Sequence, residues 1–113
     1  MHRFSVSRKR NKLLDARMFF DYAIDNCKTA PALYYVRGLL MFYMHSFYEA
    51  LLDFDTAIER DDDPSAHYYL ARGRCYACLS MLSEAMKDLS IAISLDENLL
   101  DVRYLYCFTC RRT

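Results

Sequence analysis

The chain has 113 residues, 54% of them hydrophobic and 27% charged, with fifteen basic side chains against fifteen acidic ones. That length suits one domain, that apolar content excludes intrinsic disorder, and zero net charge sets up no field that favours nucleic acid or an anionic membrane. Two glycines and two prolines are too few for a β-sandwich or barrel, which needs a turn signal about every 8–12 residues, so an all-α protein is expected.

In chain order, residues 1–10, with Arg8-Lys9-Arg10, read as a basic tail, solvated and disordered. Its charges are followed by no apolar core, so it is not read as a secretory signal. Residues 11–26 form a helical pattern with Ala16, Phe20, Ala23 and Ile24, and Cys27 falls at its end. Pro31 stands at the start of the next helix, a favoured place for proline. There Tyr34, Gly38 and Met41 are spaced i, i+4, i+7 and share one face. Its apolar run, Leu39 to Met44, is the longest in the chain, far short of the roughly 20 residues that a membrane span needs. His45-Ser46 is a turn dipeptide, and Ala50, Phe54, Ala57 and Ile58 make the stripe of a second helix. Asp61-Asp62-Asp63-Pro64 ends that helix, because proline cannot continue it, and Ser65 can cap the next.

The pattern then recurs. Tyr34, Arg37 and Gly38 return 35 residues later as Tyr69, Arg72 and Gly73, and Glu49-Ala50 through Ala57-Ile58 returns as Glu84-Ala85 through Ala92-Ile93. Going back 34 residues from the first copy, Ala16, Phe20, Ala23 and Ile24 take the same positions. A glycine inside a helix costs about 1 kcal/mol relative to alanine, so Gly38 and Gly73 call for a reason, and close approach of a neighbouring helix supplies it. Arg37 with Asp53, and Arg72 with Asp88, share a separation of 16, which predicts a bidentate structural pair across each helical hairpin.

Helix–turn–helix units at this period resemble the tetratricopeptide repeat (TPR) family. The match is carried by Tyr34, Gly38, Ala50, Phe54 and Ala57 in one copy and by Tyr69, Gly73, Tyr76, Ala85, Leu89 and Ala92 in the next. The resemblance implies an all-α, right-handed TPR superhelix over residues 11–110: a half-repeat 11–30, repeats 31–64 and 65–98, and a half-repeat 99–110. The family often has glycine in the turn inside each repeat, where this chain has His45 and Ser80, and proline after the second helix, where it has Glu97. Looser turns are expected there. The resemblance further implies a concave groove that accepts a peptide or helix, shown here by Tyr35, Leu39, Phe42, His67, Leu70, Arg74, Tyr104 and Phe108. Chaperone-binding members hold a terminal carboxylate with a Lys/Asn/Arg clamp. The corresponding positions here are Tyr35, Leu39, Ala71, Asp101 and Leu105, which make no clamp. An aromatic, weakly charged groove suits an apolar partner, although part of the stripe can equally pack against neighbouring helices.

Other chemistries have less support. Cys75-x-x-Cys78 and Cys107-x-x-Cys110 have the pairing of a four-thiolate zinc site, but mid-helix cysteines more often act as small buried hydrophobes. His2, His45 and His67 have no partnered nucleophile, and no phosphate loop, HExxH or EF-hand pattern occurs. Five cysteines, an odd number, favour free thiols in a reducing, intracellular compartment, the cytoplasm. The reading is therefore a non-catalytic adaptor or scaffold without a cofactor, binding a protein or peptide rather than nucleic acid or membrane. The alternative is a structural element whose exposed ends stack on another copy or on further repeats, because residues 99–108 are apolar on too many sides for a solvated cap.

Overall fold

A computed structural model describes residues 2–27 and 29–98, with side chains from Asn11 onward. It consists of α1 (His2–Asn26), α2 (Pro31–Tyr43), α3 (Phe47–Arg60), α4 (Ala66–Cys78) and α5 (Leu82–Leu95), with no strand among the described residues. Each helix packs on the next, and α2 also touches α4. Helices α2 with α3, and α4 with α5, are the two hairpins that the repeat requires. Pro31 opens α2, and the Ser65 hydroxyl caps α4 by accepting the His67 backbone N–H at 3.2 Å.

The core follows the repeated stripes. Tyr34, Gly38 and Met41 are the buried residues of α2, and Ala50, Phe54 and Ala57 of α3 are fully buried. Their echoes Ala85, Leu89 and Ala92 on α5 are buried as well. The glycines sit where two helices come closest. A Cβ built on Gly38 would lie 2.7 and 2.9 Å from ring carbons of Phe54, and one on Gly73 would lie 3.3 Å from Leu89 and from the Asp88 Cβ.

Two expectations are corrected. Residues 2–10 are not a disordered tail: α1 runs unbroken from His2 through the basic run. Arginine and lysine are good helix formers, and the segment has no glycine or proline to stop it. The turns inside the repeats are also not loose. His45 and Ser80 adopt the left-handed conformation, with φ of 63° and 61°. Each closes its helix with the hydrogen bonds that a glycine would make. Ser46 N–H donates to Met41 C=O and Met81 N–H to Tyr76 C=O, both at 2.8 Å, with a second bond from His45 to Phe42 and from Ser80 to Ala77. This is the Schellman closure, built at a cost because Cβ crowds the backbone in that conformation.

Candidate peptide-binding groove

The first helices of the two hairpins, α2 and α4, line a concave depression of about 350 Å³, open to solvent. Tyr35, Leu39, Phe42 and Tyr43 come from α2, and His67, Leu70, Ala71 and Arg74 from α4, with the buried ring of Phe54 as floor. Six of the eight residues expected from the sequence are thus brought together; Tyr104 and Phe108 lie outside the described residues. The i, i+4, i+7 spacing of Tyr35, Leu39 and Phe42, and of His67, Leu70–Ala71 and Arg74, places them along facing stripes.

The wall is aromatic and partly self-packed. The Tyr35 ring lies 4.8 Å from that of Tyr68 and 6.0 Å from that of Phe54, centroid to centroid. Burial first, and then the neighbouring Tyr43, push the Tyr35 hydroxyl above its ordinary value, so it stays a neutral hydrogen-bonding group. Tyr35, Leu39, Phe42 and Leu70 are half-buried, whereas Tyr43, His67 and Arg74 are exposed. The Arg74 guanidinium sits 5.8 Å from the centroid of the Phe42 ring, a cation–π contact that steadies it at the rim. Among the described residues no carboxylate lines the depression. Tyr43 and Phe54 were not expected in the lining; Tyr43 is missed because it is the last residue of its helix, where a periodic stripe runs out.

Behind the groove the two arginines fix the angles between helices. Arg37 donates from Nε and Nη2 to the two carboxylate oxygens of Asp53, at 2.9 and 2.7 Å, and Arg72 does the same to Asp88 at 2.8 and 2.7 Å. Each arginine has a third arm. Nη1 of Arg37 reaches Asp21 of α1, and Nη1 of Arg72 reaches Asp55 of α3, both at 2.9 Å. Each guanidinium therefore joins its own helix to the helix before and the helix after. The hydrogen bond to the buried aspartate is the largest cause that holds each guanidinium above its ordinary pKa, outweighing the opposing effect of burial. The third arm escaped the sequence reading, though Asp21 and Asp55 stand 34 apart and carried the signal.

The thiol pair does not assemble a metal-binding surface. Cys75 is fully buried in the core beside Met41, Leu51 and Phe54, packed as a small apolar side chain, and burial pushes its thiol up to about 12. Cys78 is exposed. Among the described residues no three His, Cys, Asp or Glu side chains cluster as metal ligands; Cys107 and Cys110 lie outside them. No described helix is long and apolar enough to cross a membrane.

No family model matches the chain, and no curated protein matches it. Solved structures do. The first TPR domain of Spaghetti (RPAP3) bound to an HSP90 peptide superposes with a TM-score of 0.86 at 21% identity, over 98% of this chain and 87% of that one. The TPR domain of Arabidopsis OM64 gives 0.86 at 20% identity, over 96% and 89%. The TPR2B domain of yeast Sti1, in a complex with an Hsp70 peptide, gives 0.83 at 17% identity, over 96% and 91%. Repeats at the period of 34 to 35, glycines at the helix contacts and these superpositions agree: the chain has the all-α fold of a TPR superhelix.

Proposed function

We propose that this protein is a non-catalytic interaction module, an adaptor or scaffold, that binds a partner peptide or helix in the groove between α2 and α4. The observation that supports it most is the convergence of Tyr35, Leu39, Phe42, His67, Leu70 and Arg74 on one open depression that no described element fills. Large half-buried aromatic and aliphatic side chains around a recess are the setting in which an apolar anchor gains most on binding. The structural neighbours that hold HSP90 and Hsp70 peptides lend support to a peptide as the partner class. The positions that would clamp a terminal carboxylate are here occupied by Tyr35, Leu39 and Ala71, so the anchor is apolar side chains rather than a chain end.

Selection from a displayed peptide library tests this. The chain is expected to enrich peptides with two or more large apolar residues at helical or alternating spacing. Leu39→Glu and Leu70→Glu are each expected to abolish the enrichment while the far-UV circular dichroism stays helical. Equal enrichment by the wild-type chain and by both folded variants would place binding elsewhere.

A further inference from the structure

One face of α1 has counterparts that are buried everywhere else in the stack. A shift of 34 residues aligns Ala16, Phe19, Phe20 and Ala23 with Ala50, Asp53, Phe54 and Ala57 of α3, and a further 35 aligns them with Ala85, Asp88, Leu89 and Ala92 of α5. In α3 and α5 every one of these side chains is buried, against the first helix of its own hairpin. In α1, Phe19 is 67% exposed, and Ala16, Phe20 and Ala23 are only half-buried. Helix α1 packs against α2 as α3 packs against α4, but no described helix stands to α1 as α2 stands to α3. The rings of Phe19 and Phe20 lie edge to face at 5.7 Å, and no described helix covers Phe19.

The exposed residue also differs in kind. Phe19 occupies the position where Asp53 and Asp88 receive Arg37 and Arg72. The matching change is found in the sequence of 99–110, which lies outside the described residues. With Cys107 on the glycine position of a first helix, the preceding arginine position holds Tyr106. The chain thus lacks the aspartate at this position of α1 and lacks the arginine at the matching sequence position of segment 99–110. An aspartate without its arginine, or the reverse, would leave a charge buried alone at a cost of several kcal/mol. Tyrosine facing phenylalanine makes an apolar pair of the same reach.

From this complementarity we infer that segment 99–110 of one copy docks on the Ala16–Phe19–Phe20–Ala23 face of α1 in a second copy. The two halves then complete one repeat across the boundary. Such contacts are heterologous, so copies add head to tail. The α1 face is separate from the groove lining of α2 and α4, and neither inference depends on the other.

Sedimentation equilibrium on the full chain, from micromolar to hundreds of micromolar, tests it. The average mass is expected to rise with concentration, and an excess of a synthetic peptide spanning residues 97–113 is expected to return it to the monomer. Phe19→Asp alone and Tyr106→Arg alone should each weaken association by about tenfold or more. An equimolar mixture of the two variants should recover it, because the unaltered segment of the Phe19→Asp copy then meets the unaltered face of the Tyr106→Arg copy, and at the other junction the arginine meets the aspartate as in the internal repeats. Phe19 is exposed, so its variant keeps the fold; circular dichroism checks this. A wild-type mass that stays monomeric at all concentrations overturns the inference. So does a mixture no more associated than its separate components, or association that neither variant weakens.

Discussion

The glycines give the sharpest test of how the helices are spaced. Replacing Gly38 by alanine puts a methyl group 2.7 and 2.9 Å from two ring carbons of Phe54 and 3.2 Å from the Asp53 Cβ, against the roughly 3.5–4.0 Å at which carbon atoms rest. Phe54 is fully buried, so its ring has nowhere to swing. Moving α2 away from α3 instead stretches the 2.7 and 2.9 Å bonds between Arg37 and Asp53. Contacts under 3.0 Å put the overpacking cost at about 2–3 kcal/mol, the upper part of its usual range, and alanine returns about 1 kcal/mol in helix propensity. Gly38→Ala should therefore destabilise the chain by about 1–2 kcal/mol. At Gly73 the nearest atoms are 3.3 Å away, and a shift of a few tenths of an ångström suffices, so the two effects nearly cancel and Gly73→Ala should lie within about 0.5 kcal/mol of wild type. Urea unfolding followed by circular dichroism measures both. The double variant Gly38→Ala/Phe54→Leu copies the Gly73/Leu89 contact in size and should cost less than the sum of its two single changes. A Gly38→Ala variant as stable as Gly73→Ala, or strict additivity with Phe54→Leu, would refute close helix contact as the reason for these glycines.

Four further outcomes follow from the same geometry. A double-mutant cycle on Arg72 and Asp88 should give a coupling of about 1.5–3 kcal/mol, as expected for a charged bidentate pair with its aspartate buried, whereas the exposed Lys87–Glu84 contact at 3.9 Å should give under about 0.5 kcal/mol. His45→Gly and Ser80→Gly relieve the left-handed strain and should each raise stability by about 0.5–1 kcal/mol, seen as a rise in melting temperature; a loss would show that the side chains at these turns contribute more than the strain costs. In the native chain, a maleimide at neutral pH should label Cys27 and Cys78, which are exposed, and spare buried Cys75 until denaturant is added, as peptide mass mapping would show. The same burial predicts a pH dependence. Cys75 keeps its proton to about pH 12 when folded against an ordinary 9.0, and Tyr35, Tyr68 and Tyr76 are also raised. The folded state thus binds more protons than the unfolded one in this range, so stability should be level below about pH 9 and fall between there and about pH 12.

Much of the fold was legible because each repeat states its own rules twice. The spacing of Tyr34, Gly38 and Met41 named the buried face of α2, and the paired glycines announced close helix contact before any coordinate did. The separation of 16 between arginine and aspartate gave the bidentate pair for the same reason: a residue that recurs in register with its partner is held by that partner. What escaped were features that a single repeat does not contain. Asp21 and Asp55 contact the arginine of the following hairpin, so their role emerges only when one repeat is read against the next. The turns escaped because the left-handed conformation at His45 and Ser80 is imposed by the closing hydrogen bonds from Ser46 and Met81, not by the intrinsic preference of the residue in the turn.

The same distinction explains the groove. A first helix shows one stripe to its hairpin partner and another to the concave side, and periodicity alone assigns neither. Tyr35 illustrates the overlap: its ring packs on Phe54 and Tyr68 while its edge lines the recess. Arg74 and His67 are exposed and serve no pair in the core, so they are the positions where a change alters the recess without loosening the stack. Arginine on Phe42 makes this rim cationic over an apolar floor. Under the proposed binding role, a partner with an acidic residue beside its apolar anchors is therefore expected to be selected over one with a basic residue there. Arg74→Glu should invert that preference among selected peptides and leave the melting temperature within about 2 °C of wild type, because an exposed side chain contributes within about 0.5 kcal/mol. A preference that survives the charge reversal would mean that the rim of the groove is not where the partner's charge lies.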